Sequence, residues 1–177
     1  MTCPAHELAC TRRFLDWEDV DLIRELTAQL TGERKVEVVD LGSGSGTTAL
    51  AVLAERTKRL RIISIDHDLT ALHWAQQAIA NVGHSDCVEF LLADTTQAAH
   101  GFLSNIDFLL IDSSHEYAHT KAELAAWIPK VHNGGFVWLH DYRGPYPGVK
   151  RAIDEERGLT QIGIKGLGWA GRKFPYE

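Results

Sequence analysis

The chain has 177 residues and a formal net charge of −6 at pH 7, with 45% hydrophobic and 24% charged residues. This composition is typical of a globular protein, and the length predicts one domain over residues 1–177. The acidic balance argues against a nucleic-acid partner or an anionic membrane surface, because both need clustered basic residues. No apolar run reaches the roughly 18 residues of a membrane helix, so we expect no membrane partner.

Cysteine usage and the first residues bear on the compartment. The three cysteines, Cys3, Cys10 and Cys87, are odd in number and widely spread, which is poor material for disulfides. The N-terminal residues have neither the basic start nor the apolar stretch of a signal peptide. We therefore expect a reducing, cytoplasmic environment.

Short apolar runs alternate with amphipathic stretches along the chain. Residues 1–35 are predicted to form an N-terminal helical segment, and residues 36–177 the core. The predicted helices are 17–30, 47–56, 69–82, 117–131 and 148–157, with a turn at 133–135. The predicted strands are 36–41, 61–66, 88–93, 106–111, 136–139, 160–164 and 167–173. Strands alternating with helices, followed by a hairpin, indicate an α/β sandwich with a mostly parallel sheet.

An aspartate lies at or just after the end of each of the first five predicted strands. These residues are Asp40, Asp66, Asp94, Asp112 and Asp141. Right-handed crossovers place the carboxyl ends of parallel strands on one rim, where open α/β sheets bind their ligands. The five carboxylates therefore predict a binding site along that rim.

Alternating glycines follow the first strand. Gly42, Gly44 and Gly46 stand between a strand and a helix, where glycine accepts positive φ and lets backbone approach a ligand. The free N–H groups of the next helix add to a site for a nucleotide-type cofactor. The dinucleotide fingerprint would need glycine at position 47, where Thr47 stands. The loop alone leaves NAD and S-adenosylmethionine both open.

The acids after the second and third strands fit the rest of such a cofactor. Asp66 can accept both hydroxyls of a ribose, and Asp94 with Thr95 stands where an adenine edge could be recognised. The alternative is helix capping, because each aspartate opens a helical stretch and aspartate is a good N-cap.

Taken in order, these segments resemble the class I S-adenosylmethionine-dependent methyltransferases. The resemblance rests on the Asp-Leu-Gly-Ser-Gly-Ser-Gly segment at 40–46 and on the strand-end aspartates, and covers about residues 36–155. The segments Ile-Asp-Ser-Ser-His-Glu-Tyr at 111–117 and Leu-His-Asp-Tyr at 139–142 further resemble a bacterial subgroup. That subgroup is related to the macrolide-sugar and cephalosporin-type O-methyltransferases.

The resemblance implies a Rossmann-like three-layer sandwich whose seven-stranded, mostly parallel sheet has an antiparallel last strand. It also implies cofactor contacts at matching positions. Asp40 would orient the loop or the amino group of the methionine moiety, and Asp66 would hold the ribose. The other implied contacts are Gly42, Ser43 and Gly44 with the methionine moiety, and His67, Asp94 and Thr95 with the adenine.

The fourth and fifth strands end in acids and imidazoles that could converge beside the methyl group. One hypothesis is a divalent metal ion held by Asp112, His140 and Asp141, which would lower the pKa of the acceptor hydroxyl. His140 stands where metal-dependent relatives often carry an acid or amide, which would favour a more nitrogen-tolerant ion. Another is direct base catalysis by His115 or His140. In the third hypothesis, Asp112 contacts the cofactor, and His140 and Asp141 only satisfy the hydrogen-bonding needs of loop backbone groups.

The predicted function is O-methylation of a small-molecule hydroxyl, sugar-like or from a natural product. The alternatives are an NAD-dependent oxidoreductase and a non-catalytic cofactor-binding module. The largest candidate substrate loop is 143–148. This loop is short, which predicts an open substrate pocket, or one completed by a second subunit of a homo-oligomer. The remaining histidines on predicted helices and loops, including His119 and His132, are interpreted as surface residues.

Overall fold

The computed structural model describes residues 4–5, 15–31, 33–56, 58–103 and 105–174. The helices are α1 (Trp17–Ala28), α2 (Thr47–Glu55), α3 (Leu69–Asn81), α4 (Thr95–Ala98), α5 (Tyr117–Trp127) and α6 (Pro147–Asp154). The strands are β1 (Val36–Leu41), β2 (Leu60–Asp66), β3 (Val88–Leu92), β4 (Ile106–Ile111), β5 (Val131–Leu139), β6 (Leu159–Lys165) and β7 (Gly168–Lys173). Of the predicted N-terminal segment, Cys3 and Cys10 lie outside the described residues.

The strands form one seven-stranded sheet in the order β3-β2-β1-β4-β5-β7-β6. Strands β1 to β5 pair in parallel, whereas β7 runs antiparallel to both β5 and β6. This confirms the predicted fold class. The strand order reverses between β1 and β4, where Leu41 pairs with Ile111, so the loops after these two strands diverge around a shared crevice.

Helices cover both faces of the sheet. The side chains of Val38 and Leu110 belong to the core on the α1, α2 and α3 side, and those of Val39 and Leu109 to the core on the α5 and α6 side. Every residue of β4 is buried, as its almost entirely apolar sequence predicts. The centre of the sheet is therefore a rigid support for the loops at its carboxyl edge.

Two predictions around the fifth strand were wrong. Helix α5 ends at Trp127 and continues only as a 3-10 turn at Ile128–Lys130, because Pro129 cannot extend an α-helix. The predicted turn at 133–135 instead lies within β5, which begins at Val131. Pairing with β4 shifts register between Ile106 and Phe108, so this glycine-containing stretch forms an irregularity in the strand rather than a turn.

Helix α1 is fixed to the far end of the sheet through its first turn. The carboxylate of Asp19 is fully buried and accepts hydrogen bonds from the backbone N–H of Asp16 (3.2 Å) and of Gly168 (2.6 Å). The N–H of Gly166 donates to Glu18 at 3.0 Å. These bonds bring Leu15 beside the turn between β6 and β7. Among the residues the model describes, no helix has the length and apolarity required to cross a bilayer.

Candidate active site

The glycine loop after β1 is pressed against the residue that follows β4. Gly42 has φ +92°, and a Cβ there would collide with the carbonyl oxygen of Asp112. Gly44 also has positive φ, but a Cβ there would meet open space. The loop is thus closed on its Gly42 side and presents backbone at Gly44 to a cavity, as a nucleotide cradle requires.

Asp40 lies beneath this loop rather than in the cavity. Its carboxylate accepts a hydrogen bond from Ser64 Oγ at 2.6 Å, and Ser64 Oγ lies 2.7 Å from Ser43 Oγ. Complete burial raises the pKa of Asp40 to about 7, although the hydrogen bond from Ser64 opposes the shift. The predicted role of orienting the loop fits this chain of contacts through Ser64.

A cavity of about 620 Å³ extends from the glycine loop past the ends of β2 and β3. Asp66 lines it and accepts hydrogen bonds from the N–H groups of Gly44 (3.3 Å) and Asp68 (2.9 Å). Asp68, and not Asp66, caps α3. His67 also lines the cavity, with 86% of its side chain exposed.

Asp94 has both of the roles considered from the sequence. It lines the same cavity and caps α4 by accepting hydrogen bonds from the N–H groups of Thr96 and Gln97, each at 3.0 Å. Hydrogen bonds from Thr96 and Gln97 lower the pKa of Asp94, so the carboxylate is ionised at neutral pH. Thr95 adjoins it in the cavity wall.

A second cavity, of about 470 Å³, lies on the other side of the glycine loop. Asp112 and His115 line both cavities and form the wall between them. The outer lining of the second cavity is largely apolar and comes from Leu15, Pro145, Tyr146 and Leu167. The Tyr146 ring stacks on His115 with centroids 4.0 Å apart. The predicted substrate loop therefore contributes to this cavity, together with the unpredicted Leu15 and Leu167.

Carboxylates and imidazoles meet at the shared wall. His115 Nε2 lies 2.7 Å from Asp141 Oδ2, and His140 Nδ1 lies 3.2 Å from Asp112 Oδ1 and 3.3 Å from Asp141 Oδ2. One ligand atom from each of Asp112, His115 and Asp141 falls within 4.8 Å of the others. The convergence of the fourth and fifth strand ends is thus present in the structure.

The backbone at Asp141 is bent to aim its carboxylate at this cluster. Asp141 has φ +59°, in the left-handed region that few side chains tolerate and that aspartate accepts more readily than most. Its carboxylate lies against Gly144, where a Cβ would collide with Oδ1. Such a conformation costs free energy, and it is found where surrounding contacts or function require it.

His140 is a buried cation between three carboxylates. Burial alone would lower the pKa of His140, but the carboxylates of Asp112, Asp141 and Asp19 around the ring outweigh it and raise the pKa to about 12. His140 Nε2 lies 3.5 Å from Asp19 Oδ2. A protonated His140 offsets the charge of the two carboxylates that it faces at the cavity wall.

Sequence reasoning missed the contacts of Asp19 and of two histidines, of which His119 lines the 620 Å³ cavity and His132 lies away from the site at the start of β5. Asp19 gave no signal beyond its place in the first turn of a helix. His119 and His132, interpreted as surface residues, are instead half-buried and lie 3.3 and 2.7 Å from the buried carboxylates of Glu123 and Asp107. The four-residue spacing of His119 and Glu123 on a helix could have predicted the first pair.

Comparison with known proteins places this geometry in a family. A family model described as "Methyltransferase domain" matches residues 39–142, more than half of the chain and the whole span from β1 to the cluster. No curated protein matches the chain by sequence. The match to the family model favours a methyl-transferring enzyme over the NAD-dependent alternative.

Solved structures share the fold at low sequence identity. A protein from Corynebacterium glutamicum superposes with a TM-score of 0.77 at 18% identity, over 98% of this chain and 89% of that one. The O-methyltransferase TomG from Streptomyces achromogenes, solved with S-adenosylmethionine, gives 0.73 at 13% identity, over 98% and 87%. The O-methyltransferase NovP gives 0.73 at 21% identity, over 88% and 79%. The chain belongs to the methyltransferase domain family and is an S-adenosylmethionine-dependent methyltransferase.

Proposed function

We propose that this enzyme methylates a hydroxyl oxygen of a small molecule bound in the 470 Å³ cavity, with a divalent metal ion held by Asp112, His115 and Asp141. The observation that carries the proposal is the convergence of these three side chains at the wall between the two cavities. A group there faces the methyl donor on one side and the acceptor on the other.

The donor set fits a divalent cation. Two carboxylates with one imidazole suit a first-row transition metal or zinc better than an all-oxygen site would. In the proposed set His115 takes the place of His140, because the ligand atoms that converge belong to Asp112, His115 and Asp141. When bound, such an ion lowers the pKa of a coordinated hydroxyl and so supplies a better nucleophile at neutral pH.

The other residues of the site bind the methyl donor and orient the carboxylates. We assign the methyl donor to the 620 Å³ cavity, with its methionine part at Gly42 and Gly44, its ribose at Asp66 and its adenine near His67, Asp94 and Thr95. Ser43, predicted as a further contact of the methionine part, instead lines the 470 Å³ cavity. The open space beside Gly44 suits this assignment, because backbone there is free to contact the donor. Buried His140 offsets the charge of Asp112 and Asp141, because its Nδ1 lies 3.2 and 3.3 Å from their carboxylate oxygens.

Transfer is a single in-line displacement. The acceptor oxygen forms a bond to the methyl carbon while the bond from that carbon to the sulfonium sulfur breaks, and sulfur keeps the electron pair. The acceptor proton must leave to a base or to water. Holding both reactants at one wall supplies the alignment that such a displacement needs.

A metal-free base is the second candidate, and one observation favours it. His115 Nε2 lies 2.7 Å from Asp141 Oδ2, which fixes the ring and leaves Nδ1 as the free acceptor when Nε2 carries the proton. In this mechanism His115 Nδ1 takes the acceptor proton, and Asp141 stabilises the resulting cation.

The cavity lining supports a proposal for the class of acceptor. The stacked ring of Tyr146 and the side chains of Leu15, Pro145 and Leu167 suit a compact ring compound that presents a hydroxyl to His115. We place it among sugar-like or natural-product acceptors, the class of the subgroup that the sequence resembles. The names of TomG and NovP as O-methyltransferases support the choice of oxygen.

A chelation experiment tests the proposal. Purified enzyme is treated with EDTA, dialysed and assayed for S-adenosylhomocysteine release with sugar and phenolic acceptors, before and after addition of Mg²⁺, Mn²⁺, Co²⁺ or Zn²⁺. We expect loss of turnover on chelation and recovery with at least one ion, and a product methylated on oxygen by mass spectrometry. Turnover unaffected by chelation would support the His115 base instead. Cofactor binding without turnover on any acceptor would favour the non-catalytic module.

A further inference from the structure

A buried carboxylate that the proposed chemistry does not use lies behind the donor cavity. Glu123 of α5 is fully buried and accepts hydrogen bonds from Ser113 Oγ at 2.5 Å and from Thr95 Oγ1. Burial raises the pKa of Glu123, and the hydrogen bonds from Ser113 and Thr95 oppose that shift. Both hydroxyl donors belong to residues that line the donor cavity.

The same carboxylate fixes the ring of His119, one turn earlier on α5. His119 Nε2 lies 3.1 Å from Thr95 Oγ1 and 3.3 Å from Glu123 Oε1. Because the Thr95 hydroxyl proton is committed to Glu123, its oxygen can only accept from His119. Nε2 is therefore the protonated nitrogen, and Nδ1 of the neutral ring is a hydrogen-bond acceptor.

His119 also stands in the cavity wall. Its side chain is 30% exposed and lines the donor cavity together with Asp94 and Thr95. Asp94 is ionised, so it too can only accept hydrogen bonds. The wall at this end of the cavity therefore carries acceptors, which complement the exocyclic amine of adenine and repel the carbonyl oxygen that hypoxanthine has in its place.

We propose that His119, held by Thr95 and Glu123, is a specificity residue that accepts a hydrogen bond from the adenine amine of the methyl donor. The proposal depends on the donor occupying this cavity, as assigned above. It does not depend on the acceptor or on a metal ion.

The experiment compares two nucleobases in calorimetric titrations without an acceptor. S-adenosylhomocysteine and S-inosylhomocysteine are titrated into the wild type, His119→Gln and His119→Asn. Glutamine keeps a polar atom near the Nε2 position and loses the one near Nδ1, whereas asparagine does the reverse. His100→Gln, at an exposed histidine outside the cavity, is the matched control.

We expect the wild type and His100→Gln to prefer the adenosyl ligand by about 10-fold or more. His119→Gln should reduce this preference at least threefold, and His119→Asn should retain most of it. An unchanged preference in His119→Gln would overturn the proposal, since a purely structural role would weaken both ligands alike. A wild type that binds neither ligand would instead refute the donor assignment itself.

A second measurement on the wild type covers the case of an unstable variant. Nitrogen-15 NMR of the histidine rings reports the protonated nitrogen and its hydrogen bonding. We expect His119 to be protonated at Nε2 and its Nδ1 resonance to shift when S-adenosylhomocysteine is added. Protonation at Nδ1 alone, or an unmoved Nδ1 resonance at saturation, would contradict the proposal.

Discussion

The two cavities on either side of the glycine loop use the same acidic residue type for different purposes. On the donor side, Asp66 and Asp94 accept hydrogen bonds from backbone N–H groups. On the acceptor side, Asp112 and Asp141 meet imidazoles, one of them a buried cation. Neutral partners leave a carboxylate free to bind ribose or amine groups, whereas charged partners build a site for an ion or a proton. The groups that contact each aspartate, rather than the residue type, therefore distinguish the roles of the two sides.

Replacing Asp112 with asparagine is expected to have the largest effect. The amide keeps the shape but removes the charge, so turnover should fall on the order of 10³-fold, a loss typical of a group that stabilises developing charge. Binding of S-adenosylhomocysteine, measured by calorimetry, should stay within a few-fold of wild type. Asp154→Asn, which alters an exposed ion pair with Lys150, is the control. Equal losses of turnover and cofactor affinity would contradict the proposal that the two cavities have separate roles.

The pH dependence of stability tests the buried carboxylate beneath the glycine loop. The pKa of Asp40 is raised to about 7 from 3.8, so between these pH values the folded state holds a proton that the unfolded state has released. Unfolding free energy should therefore fall as pH rises from about 4 to about 7, by about 4 kcal/mol from this group alone at 1.36 kcal/mol per pKa unit.

The matched variant is Asp40→Asn, which cannot ionise. Denaturant unfolding at several pH values should give a difference between wild type and variant that changes in this window, with the wild type relatively weaker above pH 7. A difference that is constant from pH 4 to 8 would contradict the buried, proton-holding Asp40.

The two glycines at the cavity edge should respond unequally to the same substitution. Gly42→Ala drives a methyl group into the Asp112 carbonyl and should cost about 3 kcal/mol of unfolding free energy, as overpacking adds to strain at positive φ. Gly44→Ala meets open space and should cost about 1 kcal/mol from its positive φ alone. Similar costs in urea unfolding would mean that the loop is not pressed against Asp112.

Removing the Tyr146 ring should have the smallest effect and should be confined to the acceptor side. Tyr146→Ala loses the stack on His115, a contact of about 1 kcal/mol, so KM for the acceptor should rise several-fold while affinity for S-adenosylhomocysteine is unchanged. Steady-state kinetics and calorimetry measure the two quantities. A change in cofactor affinity as large as the change in KM would count against separate cavities.

More of the fold and of the donor cavity than of the acceptor cavity could be predicted from the sequence. Strand periodicity and the glycine loop are local patterns, so the sheet, the loop and its aspartates could be predicted from adjacent residues. Asp19 and Gly168 are 149 residues apart in the sequence, and no local pattern predicts their contact. The charge of His140 likewise depends on Asp19, Asp112 and Asp141 meeting in space. Its predicted role as ligand or base could therefore not be judged from residue type.

Asp112, His115 and Asp141 are proposed to form an ion site at the wall between the donor and acceptor cavities. Crystals of the enzyme with S-adenosylhomocysteine and Mn²⁺ test it most directly, through anomalous scattering from manganese. We expect one strong peak within coordination distance of all three side chains, with the ligand in the donor cavity beside Asp66. A peak elsewhere, or none at saturating Mn²⁺ with the ligand bound, would contradict the ion site and leave His115 as the base.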